Sequence, residues 1–284
     1  MRIAITGSKG QLGTALQRVL AHEPLMPIDL PEHDITDLTQ ITAAIAAFRP
    51  DRIIHTAAMT NVDACESDPT LAYRVNALGA RNVAVAAQSA GIPMVHVSTD
   101  YVFAGDREEP YWEFDEAGPL SVYARSKWAG EQLVRQLVPQ HYIVRTAWLY
   151  GEAGGSTEPH NFVETVLRLA RERGALTMVT DEIGSPTYAL DLAEALAQLV
   201  CQPAYGTYHF VNQGVCSRYD WAVEVLRLAG LSNVPVHPSQ NYQRQARVPK
   251  HVSLRNLCGA ELGITLRPWR EALAAYMDAR QEHG

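Results

Sequence analysis

Short apolar runs alternate with apolar positions at helical spacing through the first half of the chain. Residues 2–6 (Arg-Ile-Ala-Ile-Thr) form an apolar run that ends at Gly7. Leu12, Leu16, Val19 and Leu20 then recur at helical spacing, so the pattern predicts strand, tight turn and helix. A second strand is predicted over 25–30, reaching Asp29, and Ile41, Ile45 and Phe48 mark a helix closed by Pro50. A third strand over 52–56 runs into Ala57 and Ala58. Leu71, Val75, Leu78, Val83 and Ala86 predict one long helix over 70–90, stopped by Gly91 and Pro93. A strand over 94–98, a turn-rich loop from Gly105 to Pro119, a helix over 121–138 and a strand over 142–147 complete this half. Strands alternating with helices at this spacing predict parallel βαβ units in an α/β, doubly wound, Rossmann-like sheet.

After about residue 150 the rhythm changes. Gly151, Gly154 and Gly155 mark a loop. Helices are predicted over 161–173, 189–200, 219–229 and 269–280, with short strands over 176–180 and 207–211. The expected organisation is a dinucleotide-binding domain over 1–150 and a smaller, discontinuous substrate-binding part over 151–284, some segments of which return to the first sheet.

Composition narrows the function. Hydrophobic residues make up 47% and charged residues 19% of the 284, a globular balance that excludes a disordered chain. Lysine and arginine number 24 against 31 acids, and the net charge of −7 argues against binding nucleic acid through its phosphates. No run approaches a membrane span and the N-terminus lacks a signal peptide's apolar core, so a cytoplasmic protein away from the membrane is expected. Cys65, Cys201, Cys216 and Cys258 are scattered, and the ten histidines show no ligand spacing, so no disulfide or metal site is expected. His55 and His96 read as core or cleft residues, and Glu108, Glu109, Glu113, Asp115 and Glu116 as a solvated loop. Monomer and homodimer both remain open.

The candidate chemistry sits at strand ends. Gly7, Gly10 and Gly13, with Lys9, Gln11 and Leu12 between them, follow the first strand and open the first helix. A turn this tight brings backbone N–H groups against a pyrophosphate at the positive end of a helix. Asp29 at the end of the second strand suits a ribose hydroxyl and favours NAD, whereas Lys9 suits a 2′-phosphate, so NADH and NADPH both remain open. Asp34 and the adjoining Ile35 are placed at the adenine, a role that for Asp34 competes with capping the next helix. Tyr123 and Lys127 lie one helical turn apart and share a face. Reduction of a ketone needs a proton donor at the developing alkoxide, and an ammonium beside a phenol favours the phenolate. Thr99 supplies a hydroxyl to orient the carbonyl. Only three of the 24 basic residues are lysines (Lys9, Lys127 and Lys250), which makes a lysine at 127 a chemical choice rather than a habit of composition.

These residues resemble the dTDP-4-dehydrorhamnose reductase family of the extended short-chain dehydrogenase/reductase superfamily, and the resemblance runs through nearly the whole chain. It is carried by Thr6-Gly-Ser-Lys-Gly-Gln-Leu-Gly13, Ala57-Ala-Met-Thr-Asn-Val-Asp63, Ser98-Thr-Asp-Tyr-Val-Phe103, Tyr123-Ala-Arg-Ser-Lys127, Arg145-Thr-Ala-Trp-Leu-Tyr150, Asn161-Phe162 and Asp181-Glu-Ile-Gly-Ser-Pro-Thr187. It implies reduction of the C4 ketone of a nucleotide-linked 4-keto-6-deoxy sugar by NADPH or NADH, with dTDP-rhamnose or a relative as product. Thr99, Tyr123 and Lys127 would be the catalytic set, and Lys127 would also hold the nicotinamide ribose. Ala57, Ala58 and Thr60 would border the cofactor. Thr60, Val62, Thr99, Tyr101 and Trp148 would face the substrate, with Asn161 and Phe162 by its nucleotide half. The family's Arg-Pro motif is interrupted here (Arg247-Val-Pro-Lys250), so either Arg247 or Lys250 is expected at the diphosphate. Two alternatives differ in kind: an NAD-retaining nucleotide-sugar epimerase or dehydratase, and a non-catalytic NADP-binding regulatory subunit.

Overall fold

A computed structural model describes residues 1–152, 161–240, 242 and 244–282; Gly154 and Gly155 of the expected loop lie outside them. Five strands of the first half, β1 (Ile3–Thr6), β2 (Leu25–Ile28), β3 (Arg52–His55), β4 (Met94–Thr99) and β5 (His141–Thr146), form one sheet with the strand Gly206–His209. The order across the sheet is Gly206–His209, β5, β4, β3, β1, β2, and every pairing is parallel. The expected doubly wound α/β sheet is therefore present, and the strand expected over 207–211 is its sixth member.

Both faces are covered, which is why these strands read as continuous apolar runs rather than alternating ones. Ile3 and Ile5 of β1 face one side, where they pack with Leu16 of α1 (Gln11–Val19) and with Leu192 and Leu196 of the helix Ala189–Leu199. Ala4 faces the other side, with Ile41 and Ile45 of α2 (Leu38–Phe48), Val83 and Val134. Each fully buried leucine or isoleucine contributes about 2 kcal/mol. A separate cluster packs Tyr150, of the strand Leu149–Tyr150, with Trp221 and Tyr276 and with the later helices Phe162–Arg173, Arg218–Leu228 and Trp269–Glu282.

Two local readings change. The long helix expected over 70–90 is broken into Pro69–Tyr73, a π-helical stretch Arg74–Gly79, and Ala80–Ala90. The cause is Asn76, whose buried amide accepts from Met59 N at 2.8 Å and donates to Met59 O at 3.1 Å and Ser126 Oγ at 3.0 Å. The widened turn aims that side chain into the molecule, where apolar periodicity gives no sign of it. Glu113, expected in solvent, is buried and accepts the backbone N–H groups of Leu257 and Cys258 at 2.9 and 3.1 Å. Asp115 likewise accepts from Trp112 N at 2.7 Å and pairs with Arg107.

The π-helical stretch presses against the helix Val122–Leu137, which carries Tyr123 and Lys127. A Cβ at Gly130 would stand 2.4 Å from Asn76 O. Alanine gains about 1 kcal/mol over glycine in a helix interior, but overpacking against backbone costs about 1–3 kcal/mol. Gly130→Ala is expected to lower the thermal midpoint by several degrees; an unchanged or raised midpoint in thermal unfolding refutes the close approach.

Candidate active site

The strand order reverses between β1 and β3, and the crevice beyond their carboxyl ends is where doubly wound sheets bind ligands. A cleft of about 640 Å³ opens there, running from Asp29 beyond β2 to Trp148 beyond β5. Gly7 has φ +71°, and a Cβ on it would lie 2.6 Å from Ala57 N; one on Gly13 would lie 2.1 Å from Gly7 O. The first glycine thus makes the turn, and the third lets α1 sit under it. Gly10 lines the cleft and caps α1 without a side-chain acceptor, which leaves the helix's positive end facing the cavity. Lys9, Gln11 and Leu12 line the same wall.

At the far end of that wall, Asp29 accepts from Lys9 N at 2.7 Å and Leu30 N at 2.8 Å. The Lys9 ammonium turns away to Leu30 O at 2.5 Å and Glu32 at 2.9 Å. Asp34 and Ile35 line the cleft as well, and Asp34 also accepts from Thr36 N at 2.8 Å, so it serves the turn before α2. The cap of α2 itself is Asp37. Ala57, Ala58 and Thr60 lie on the opposite lip.

Thr99 ends β4, and Ser121 caps the following helix by accepting from Ala124 N at 3.1 Å, which sets Tyr123 and Lys127 on the face turned to the cleft. The Thr99 side chain hydrogen-bonds the Tyr123 hydroxyl. Burial pushes the Tyr123 phenol well above its ordinary range; the Thr99 bond opposes this and the neighbouring Asp100 and Tyr101 add to it. Lys127 is buried, and its ammonium donates to Val97 O at 2.7 Å. Burial lowers its pKa to about 8 while Glu131, one turn on, pulls it upward.

Asp100 was missed by sequence reasoning, its only signal being a carboxylate next to Thr99 at a strand end. It lies 2% exposed and lines the cleft. Its Oδ1 accepts from Thr99 Oγ1 at 2.9 Å and its Oδ2 has no partner; burial raises its pKa to about 7. Ser98 Oγ and Thr146 Oγ1 are likewise buried, unpartnered and on the cleft wall. Together with the undonated protons of Lys127, these groups suit a ligand rich in hydroxyls.

The other expected substrate residues are not all gathered at the cleft. Trp148 lines it with φ +43°. Tyr101 lies behind Tyr123, edge to face at 6.0 Å, in a cluster that Val62 joins. Phe162 stacks on Trp221 at 4.4 Å. Asn161 is buried and fully engaged: it caps its helix through Glu164 N at 2.9 Å and donates to Gly151 O at 2.9 Å and Tyr276 Oη at 3.3 Å. Arg247 is exposed, and Lys250 pairs with Asp181 at 2.8 Å. Among the described residues no group of histidine, cysteine and carboxylate side chains is arranged to hold a metal, and no helix is long and apolar enough to cross a membrane.

A family model described as the RmlD substrate binding domain matches residues 1–282. The dTDP-4-dehydrorhamnose reductase of Mycolicibacterium smegmatis is 41% identical over 96% of this chain and 84% of its own. The crystal structure of a dTDP-4-dehydrorhamnose reductase from Clostridium acetobutylicum superimposes with a TM-score of 0.93 at 41% identity, covering 99% of this chain and 100% of that one. The Bacillus anthracis dTDP-4-dehydrorhamnose reductase in complex with NADP gives 0.93 at 41% identity, covering 98% and 99%. The resemblance read from the motifs is borne out across the chain.

The Asp100 carboxyl generates a prediction independent of turnover. Its folded pKa of about 7 is raised, so the folded protein keeps a proton that the unfolded chain releases near pH 4. That contribution is full below about pH 4 and is lost as pH rises through about 7. Asp100→Asn keeps the acceptor for Thr99 and removes the titration. The variant is expected to escape a loss on the order of 3 kcal/mol between pH 4 and pH 8. Urea unfolding of both proteins at the two pH values reads this directly, and parallel losses refute it.

Proposed function

The chain belongs to the RmlD substrate binding domain family, and we propose that it reduces the C4 ketone of a dTDP-linked 4-keto-6-deoxy sugar, converting dTDP-4-dehydrorhamnose to dTDP-rhamnose at the expense of NADPH or NADH. The observation that carries this reading is one cleft whose wall holds the glycine turn at one end and Thr99, Tyr123 and Lys127 at the other.

The cleft suits a dinucleotide. The turn at Gly7 and the uncapped start of α1 would hold its pyrophosphate, Asp29 the adenosine ribose, and Lys127 the hydroxyls of the second ribose. When bound, the reduced nicotinamide supplies the hydride to C4. This chain's residues handle the proton. Tyr123 keeps its proton at neutral pH because burial raises its pKa, so it is a donor poised for the developing alkoxide. It gives that proton to the C4 oxygen, and the Lys127 ammonium favours the resulting phenolate. Thr99 fixes the position of the Tyr123 hydroxyl, with its own proton directed at Asp100 Oδ1. The product alcohol carries the added hydride and the tyrosine's former proton, and Tyr123 is reprotonated from solvent.

Two outcomes are expected from oxidation of reduced coenzyme with a dTDP-4-keto-6-deoxyhexose. Tyr123→Phe loses about 10³-fold in kcat, and an unchanged rate rejects the assignment. The wild-type rate falls as pH rises through about 8, where Lys127 loses its charge. The same assay tests the coenzyme. Asp29 and Asp34 line the adenosine end, and Lys9 is already paired with Glu32, so NADH is expected to be used at least as well as NADPH. Asp29→Ser is expected to move the ratio of kcat/KM values about tenfold toward NADPH; no movement refutes the role of this carboxylate.

A further inference from the structure

The sequence leaves two cations, Arg247 and Lys250, competing for the substrate's diphosphate. The fold brings together a different pair, one of which packs on Trp148 of the cleft wall. Arg218, at the start of the helix Arg218–Leu228, holds its guanidinium 3.6 Å above the ring of Trp148, whose side chain lines the cleft beside Thr99. Phe162 and Trp221 stand 5.2 and 5.6 Å from the same guanidinium. Glu182, 3% exposed, lies 3.6 Å from Arg218 Nε and 3.3 Å from Arg244.

One buried carboxylate between two guanidiniums leaves a net positive charge. Glu182 answers only part of the pair's donors. Among the described residues Arg218 has no hydrogen-bond acceptor closer than this ion-pair distance, and Arg244 Nε is buried without a partner. Both guanidiniums are half-buried, so they keep donors free for an anion at the surface of this cluster. Arginine's planar fork matches phosphate oxygens two at a time, and the Trp148 and Phe162 rings fix where the fork points. The pair is one side chain removed from the reacting end, since Tyr101 meets Tyr123 edge-on at 6.0 Å and feels Arg218, Glu182 and Arg244 on its other side. Trp148, on which Arg218 packs, follows β5, whereas the glycine turn follows β1, so two strands of the sheet separate the two features. Lys250, by contrast, is exposed and neutralised by Asp181, and Arg247 is exposed with no hydrogen bond, ion pair or ring contact among the described residues.

We propose that Arg218, held by the buried Glu182 and backed by Arg244, recognises the diphosphate of the nucleotide-sugar substrate, in place of Arg247 or Lys250. The assignment rests on the nucleotide-sugar reading above. Glu182 is a positioning residue: it keeps two like charges together and limits their net charge to one.

Isothermal titration of thymidine diphosphate into the coenzyme-loaded protein tests it, with coenzyme affinity measured separately on each variant. Arg218→Met is expected to weaken thymidine diphosphate about thirtyfold, a size typical of losing one charge-assisted phosphate contact, while coenzyme affinity stays within twofold. Arg247→Ala is expected to change neither. Thymidine diphosphate binding to Arg218→Met with wild-type affinity overturns the assignment and leaves the reductase reading standing. A tenfold or greater loss in Arg247→Ala overturns it too. If Arg218→Met loses coenzyme and nucleotide together, Arg218→Lys decides: it keeps the charge without the fork, and wild-type affinity there overturns the proposal while a loss of several-fold supports it. A wild-type protein that takes coenzyme but neither thymidine, uridine nor guanosine diphosphate rejects the nucleotide-sugar reading itself.

Discussion

Lys127 carries an ammonium into the carboxyl edge of the sheet with one backbone acceptor, Val97 O at 2.7 Å. The buried Glu131 acts on it, but Arg145 already grips Glu131 through two bonds of 3.1 and 2.9 Å. The charge on Lys127 is therefore only partly answered by the protein. His55 and His96, stacked at 5.2 Å beneath it, add no positive charge: burial and the ammonium hold both imidazoles neutral, His55 with a pKa of about 3. An interior that leaves a cation undercompensated while suppressing its other titratable neighbours is poised for a ligand and for proton chemistry, and perturbed groups of this kind concentrate at functional sites.

That arrangement depends on register. Thr6, His55 and His96 lie level across β1, β3 and β4, and three residues further on Thr99 and Thr146 lie level across β4 and β5. Parallel strands buried on both faces have little freedom to slip, because a shift of one residue would turn each of these polar groups into an apolar layer. The glycine turn after β1 and the hydroxyl at the end of β4 are therefore aligned by the same hydrogen-bond ladders that make the sheet. The Asn76 amide performs a similar task from the helical side, tying the loop at Met59 to Ser126 between Tyr123 and Lys127.

Features with a local cause were legible in the sequence. The glycine turn announces itself because only glycine tolerates φ +71° at Gly7 and the 2.1 Å approach beneath Gly13. Tyr123 and Lys127 are legible because one helical turn fixes their relative placement. Residues whose partners are distant in sequence were not. Asn76 breaks a helix to reach Met59 and Ser126, which no periodicity records. Glu113 sits in a run of acids that resembles a solvated loop, yet it caps a turn 144 residues away. Asn161 reads as a polar residue available to a ligand, although capping and the Tyr276 hydroxyl take up its amide. Arg218 is one of 21 arginines, and nothing in its neighbourhood along the chain distinguishes it until the fold lays it on Trp148.

The two kinds of cation divide the cleft by chemistry. Lysine scarcity alone overstates the case for position 127, because Lys9 and Lys250 stand at exposed ion pairs with Glu32 and Asp181 where arginine would serve as well. What separates Lys127 is burial. A guanidinium there would bring five donors to a pocket whose one backbone acceptor is Val97 O, and it would stay charged at every accessible pH. An ammonium is compact, turns its remaining protons toward a ligand, and has a pKa that burial brings to about 8, within reach of proton exchange. Behind Trp148 of the cleft wall the requirement is reversed: a fixed charge and a rigid fork suit an anion that is held and never titrated, and there the protein uses arginine twice around one buried glutamate.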